Sequence, residues 1–238
     1  MKAVEALRLG ATSYVIPGDI VTNVHYLEGR VQDVELIFFV VDDGVNNLPS
    51  VGQVSELATL LEAHGASCTI HLPLDLCLDE EEQRQRASLE TARRVIECVR
   101  GLNPWAYVLH VDGAAVRYGA SPARWQQWLS QSVAALSKMG GWAGGIEKLA
   151  VENLEGYPLD FYEPLPYLRR ALPRTRVVHL HGVAERDHHS LACVAPTALR
   201  AVVGELVRGG YRGVVTIEVF SEDDFLTSLE ALASLDVA

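Results

Sequence analysis

Short apolar runs alternate along the chain with longer segments whose apolar residues recur at helical spacing. The runs occupy residues 8–14, 34–41, 66–72, 105–111, 146–153, 175–180 and 213–220. Each is too short for a helix and rich in Val, Ile, Leu or aromatics, the make-up of strands buried on both faces. Between them, residues 51–64 put Val54, Leu57, Ala58 and Leu61 on one helical face, with Gly65 as the stop. Residues 79–100 open on Asp-Glu-Glu-Glu, which suits the positive end of a helix dipole. The same segment aligns Leu89, Ala92, Val95, Ile96 and Val99. Ser121-Pro122 reads as an N-cap followed by proline in the first turn of a helix over 123–139. Further helices are predicted at 162–172, 196–208 and 222–235.

Strand and helix in alternation predict βα units on a parallel sheet. The expected fold class is α/β, a TIM (β/α) barrel. No low-complexity linker interrupts the chain, so a single domain over residues 1–238 is expected. Seven strands are counted where a closed barrel of this type has eight. The deficit falls between the fifth strand and the next, so the barrel is expected to lack its sixth strand unit. The glycine-rich segment 140–145 precedes a strand instead of linking strand to helix, and reads as a flexible connection.

Composition narrows the partners. A net charge of −11 with no Lys/Arg cluster argues against nucleic acid, whose binders neutralise phosphates with basic side chains. No apolar run is long enough to span a bilayer and the first ten residues hold no signal-peptide core, so a cytoplasmic protein without membrane contact is expected. Cys68, Cys77, Cys98 and Cys193 show no CxxC spacing and are expected to be buried thiols.

In parallel α/β folds the C-terminal strand ends form the active-site face. Here those ends carry His71, His110, Glu152, His179 with His181, and Glu218, and a loop after His181 adds Asp187 and His188. One histidine or carboxylate at a strand end is ordinarily satisfied by hydrogen bonds. Five strand ends bearing titratable groups are costly to bury unless a cation pairs with them. Zn²⁺ or Mn²⁺ accepts such a mixture of nitrogen and oxygen ligands. His71, His110 and Glu152 come from adjacent strands and are expected to share one ion; His179 and Glu218 suit a second. His181 is expected to contact substrate, Ser13 and Tyr14 to line the mouth, and Glu35 to orient substrate or a ligand histidine. His25 and His64 are expected on the surface. No Ser-His-Asp or Cys-His pattern stands out.

The ordered series His71, His110, Glu152, His179, Asp187-His188 and Glu218 resembles the xylose-isomerase-like barrel superfamily, which includes family-2 apurinic endonucleases and sugar-phosphate isomerases and epimerases. More narrowly, residues 9–17 (LGATSYVIP), Val34-Glu35-Leu36, residues 151–156 (VENLEG) and residues 179–183 (HLHGV) with Asp187-His188 resemble the cobamide-remodelling phosphodiesterases. That resemblance implies a metal-dependent hydrolase that cuts the nucleotide-loop phosphodiester of a corrinoid such as coenzyme B12. The products would be a cobinamide and α-ribazole phosphate. Glu152, Glu218 and His110 would be the catalytic residues. The chain departs from such relatives in one respect. They carry a sixth strand ending in an Asp-x-x-His pair, whereas residues 159–166 here run straight into the helix before His179.

Three other functions remain in view. A sugar isomerase or epimerase would hold a single ion on Glu152, His179 and Glu218 to polarise a carbonyl. DNA repair is disfavoured by charge. A degenerate, non-catalytic corrinoid-binding protein would fit the missing strand unit.

Overall fold

The computed structural model describes residues 2–41, 45–74, 76–77, 82–111, 113, 116, 119–152, 164–185 and 187–236. Two compact units are present. The first comprises Met1–Leu36, Thr59–Cys68 and Leu159–Ala238, and the second Ile37–Ala58 and Thr69–Pro158.

Seven parallel strands are found among the described residues, each inside a run predicted from the sequence or within one residue of it. They are β1 (Arg8–Thr12), β2 (Asp33–Ile37), β3 (Ser67–His71), β4 (Tyr107–Leu109), β5 (Leu149–Val151), β6 (Val177–Leu180) and β7 (Val214–Ile217). In the first unit the hydrogen-bonded order is β2-β1-β7-β6, and in the second β3-β4-β5. In the first unit Gly10 stands opposite Asp33 of β2 and Thr216 of β7, and His179 of β6 stands opposite Thr216. In the second, His71 stands opposite Val108, and Val108 opposite Ala150. β1, β2, β3, β4 and β7 are almost wholly buried, whereas β5 and β6 are more exposed. Residues 153–163, which hold most of the segment where the sixth strand unit is expected to be lost, lie outside the described residues.

Eight α-helices are described: α1 (Ala3–Ala6), α2 (Ile20–Leu27), α3 (Val51–His64), α4 (Glu82–Val99), α5 (Pro122–Ala143), α6 (Pro164–Ala171), α7 (Pro196–Arg208) and α8 (Glu222–Ser234). Helix α3 matches its predicted span, and Gly65 follows it at φ 61°. Helix α4 buries the five predicted apolar residues. The sequence pattern leaves α2 unassigned, although Asp19 caps it by accepting from the Thr22 N–H at 2.8 Å. Its Ile20, Val24 and Leu27 form the buried face.

Glycines 140 and 141 correct an expectation. They belong to the last turn of α5, which continues to Ala143 and is capped by Gly144 at φ 90°. A β-carbon on Gly140 would stand 3.0 Å from the Ile146 backbone, so close packing outweighs glycine's poor helix propensity there. Buried thiols are a second correction. Cys68 is buried, but Cys77 and Cys98 are half-buried and Cys193 is exposed; all four are free thiols. His25 is exposed as expected, while His64 is half-buried and meets Glu28 at 3.0 Å.

Polar locks tie the first unit together at the start of its strands. The Arg8 guanidinium donates to the Ser67 hydroxyl, which donates to the buried Asp33 carboxylate. Between α6 and α7, Glu205 accepts from Arg169 at 2.5 and 2.8 Å and from Arg208 at 2.5 Å. Hydrogen bonds from Arg169 and then Arg208 pull the Glu205 carboxyl down to about 2, against the upward push of burial. A carboxyl depressed in the folded state stabilises above its unfolded value and stops doing so as pH falls through the folded one. The thermal-midpoint gap between the wild type and Glu205→Gln is therefore expected to close between about pH 4.5 and about pH 2. A gap constant over that range would contradict the assignment. Among the described residues, no helix is long and apolar enough to cross a membrane.

Candidate metal centre

Each unit carries its own group of imidazoles and carboxylates at the C-terminal ends of its strands. In the second unit His71 is the last residue of β3, His110 follows β4 and Glu152 follows β5. Backbone bonds set their heights. The Phe38 N–H donates to the His71 carbonyl at 3.1 Å, Leu72 N–H to Val108 at 2.9 Å, and Glu152 N–H to Leu109 at 2.9 Å. Glu152 Oε2 then lies 3.4 Å from His71 Nε2 and 3.1 Å from His110 Nε2. The two rings meet edge to face with centroids 5.2 Å apart. One ligand atom from each of the three residues lies within 4.8 Å of the others. His71 is buried, and His110 and Glu152 are half-buried.

The chemistry of this donor set fits a cation. His71 Nδ1 lies 2.8 Å from the Leu72 carbonyl oxygen, which can only accept, so Nδ1 carries a proton. In the neutral ring Nε2 then holds a lone pair, and that lone pair faces a carboxylate oxygen. Two acceptors in contact repel unless a proton or a metal ion stands between them. A carbonyl on the far ring nitrogen is also what orients ligating histidines generally.

In the first unit the group is built on β6, β7 and the loop after β6. Glu218 N–H donates to the Leu180 carbonyl at 3.0 Å, which places its side chain just past β7. Glu218 Oε2 lies 3.4 Å from His179 Nδ1 and 3.6 Å from His188 Nε2. His179 Nε2 is 3.0 Å from Glu35 Oε2, and the same oxygen accepts from the Thr216 hydroxyl at 3.1 Å. Glu35 is wholly buried, so its observed role is to hold the ring of His179. Ser13 is buried as well and its N–H donates to the Glu35 carbonyl at 2.9 Å; Tyr14 is half-buried.

His181, His188 and Glu218 form a second group whose ligand atoms converge within 4.8 Å. Sequence alone sets His181 apart from the ligands, because nothing in it shows how the loop folds back. Gly182 and His189 exchange two backbone hydrogen bonds, at 2.6 and 2.9 Å, closing the loop. His181 and His188 stack at 4.5 Å, and the His188 ring also meets Phe220 at 5.0 Å. His188 adopts φ 57°, a left-handed backbone that costs a non-glycine residue about 1–3 kcal/mol and is concentrated at functional sites. Asp187 is exposed, 3.9 Å from His181 Nδ1, and stands outside the three-residue groups.

Asp224, in the first turn of α8, anchors the base of the loop. It accepts from the Ser190 N–H at 2.9 Å and faces His189 Nδ1 at 3.5 Å. Burial pushes its carboxyl up, but bonds from Ser221, Ser190 and His189 together pull it below its ordinary value. A β-carbon on Gly182 would collide with the Ser190 carbonyl oxygen. Gly182→Ala is therefore expected to destabilise the chain by about 1–3 kcal/mol, read by urea denaturation. A change below about 0.5 kcal/mol, the size of an ordinary surface substitution, would mean the loop is not closed this way.

No protein-family model matches the sequence, and no curated protein is significantly similar to it. Similar solved structures do exist. A D-tagatose 3-epimerase-like protein is 18% identical with a TM-score of 0.68, covering 95% of this chain and 96% of that one. A D-psicose 3-epimerase crystallised with D-fructose is 12% identical with a TM-score of 0.66, covering 95% and 97%. Endonuclease IV from Thermus thermophilus is 19% identical with a TM-score of 0.65, covering 94% and 98%. At these identities the likeness is one of fold: the chain has the parallel α/β fold of these TIM-barrel epimerases and of endonuclease IV.

Proposed function

We propose that the chain is a divalent-metal-dependent enzyme of the sugar or sugar-phosphate isomerase and epimerase type. The observation that carries this reading is the His71–His110–Glu152 group, where two imidazole nitrogens meet one carboxylate oxygen at 3.4 and 3.1 Å. The fold likeness to a D-psicose 3-epimerase and to a D-tagatose 3-epimerase-like protein supports the substrate class. When bound, Zn²⁺ or Mn²⁺ supplies Lewis acidity toward a substrate carbonyl or hydroxyl. His71, fixed by the Leu72 carbonyl, and His110 hold the ion together with Glu152.

Glu152 handles the proton on the carbon beside the carbonyl. A carboxylate has two oxygens, so one can face the ion while the other takes the proton. The Glu152 oxygen turned away from the ion keeps the proton until it returns to carbon. Within the first unit, His179, aligned by Glu35, is assigned with Glu218, Asp187 and His188 to metal binding. Ser13 and Tyr14 are assigned to the substrate side. In this reading residues 1–238 form one barrel-type domain short of its sixth strand unit, and the substrate is a free small molecule.

The test uses metal-stripped and Zn²⁺- or Mn²⁺-reloaded protein with a panel of ketoses and ketose phosphates in deuterated water. Metal-dependent deuterium uptake beside the carbonyl, followed by NMR, is expected. No uptake across the panel overturns the reading.

A second reading is favoured by one observation, the separate His181–His188–Glu218 group. A cation held by that group suits phosphodiester hydrolysis, in which water attacks phosphorus and a P–O bond breaks. The corresponding substrate is a cobamide, and the assay is release of cobinamide and α-ribazole phosphate from coenzyme B12. Tight corrinoid binding without cleavage would point to a non-catalytic binding protein instead.

A further inference from the structure

We infer that His181 is a metal ligand and that, with His188 and Glu218, it forms a zinc centre held by the first unit alone. This deepens the metal-dependent reading without depending on the His71 group, which lies in the other unit. Two imidazole nitrogens and one carboxylate oxygen are a three-protein-ligand set of the kind that leaves a fourth position of tetrahedral Zn²⁺ open. The structure prepares the set before any ion arrives. The Gly182–His189 bridge brings the two ends of the loop together, and with them His181 and His188. Phe220 and His181 pack on the His188 ring, so its orientation is fixed. Ser190 N–H on Asp224, and Leu191 N–H on the Ser228 hydroxyl at 2.9 Å, tie the loop to α8.

The same loop holds His181 Nδ1 between a carbonyl acceptor and an N–H donor, so each tautomer has a partner and an ion on Nε2 would select the one that donates to Gly182. Its Nδ1 lies 3.2 Å from the Gly182 carbonyl and 3.3 Å from the His188 N–H. The form that donates to Gly182 leaves the lone pair on Nε2, the arrangement in which a backbone carbonyl orients a ligating ring. Glu218 supplies the negative charge, with its Oε2 3.6 Å from His188 Nε2. An isolated substrate contact would need none of this anchoring of the neighbouring histidine.

Metal stoichiometry provides the test. Zn²⁺ titration of the stripped 238-residue chain by calorimetry, with Co²⁺ absorption as a second readout, is expected to show one equivalent for each of the two groups. His181→Asn keeps a side chain able to bond the loop backbone but removes Nε2, and should lose one equivalent. His71→Asn should lose the other. If His181→Asn retains both equivalents, or if the wild type binds a single equivalent that His71→Asn abolishes, the inference fails. Should the variant not fold, ¹⁵N NMR of the wild-type histidine rings decides. Zinc must shift the ring nitrogens of His181 and His188, and their standing still while those of His71 move would overturn it. A negative sugar assay with two equivalents bound would defeat the isomerase reading and leave this centre standing.

Discussion

Glu152→Gln is expected to lower both divalent-cation affinity and kcat/KM, the latter by roughly 10²–10⁴-fold, the span associated with losing a positioned acid–base group. One Glu152 oxygen faces two imidazole nitrogens, at 3.4 and 3.1 Å. Glutamine keeps the shape but removes the charge that draws a cation to this spot. It also offers an amide that can donate to the neighbouring rings, giving them a partner other than metal. The affinity arm is measurable by calorimetry with Zn²⁺ alone, before any substrate is known. Affinity unchanged within a few-fold would mean that this group does not hold the ion, and the proposed function would lose its support.

Phe225→Ala is expected to cost about 3–5 kcal/mol of stability, as deletion of a fully buried phenyl ring generally does. Phe225 is wholly buried in α8 and packs edge-on against Tyr26 of α2, with centroids 6.4 Å apart. Its neighbour Asp224 anchors the loop that carries His188, so packing and site geometry share one helical turn. Urea unfolding followed by circular dichroism measures the loss. A cost below about 1 kcal/mol would show that the α2–α8 contact collapses to fill the void.

How legible the chain is depends on the range of the interactions involved. The seven strand runs are readable because a strand buried on both faces must be apolar almost throughout. Helix α4 is readable because its five apolar residues face one way whatever the neighbours are. Helix α2 escapes the pattern because its buried face rests on only three apolar residues over eight positions, with buried Asn23 among them. Asn23 bonds back to the Ile16 carbonyl at 3.1 Å, a use of a polar residue that pattern counting treats as solvent-facing. Gly140 and Gly141 mislead in the opposite direction, since propensity favours a loop and close packing of Gly140 against Ile146 favours the helix.

The site divides along the same line. Which residue types stand at the strand ends follows from the sequence once the strands are assigned, because strand ends converge on one rim in parallel α/β folds. That rule groups His71, His110 and Glu152, and the structure brings them together. The pairing of His181 with His188 depends on a backbone bridge between Gly182 and His189 and on a left-handed residue at 188. Neither leaves a mark in hydrophobic periodicity. The assignment of Glu35 to His179 likewise spans 144 residues of chain, a distance over which only strand register sets who meets whom.

Composition and period, both local properties, suffice to establish the alternation of strand and helix, the net acidity, and the supply of imidazoles and carboxylates to the strand ends. The folded arrangement is needed to settle which imidazole faces which carboxylate, which ring nitrogen keeps its proton, and that the loop after β6 closes on itself. Those outcomes rest on contacts of about 3–4 Å between separate segments of the chain. A shift of one residue in strand register would point each side chain to the opposite face and undo them.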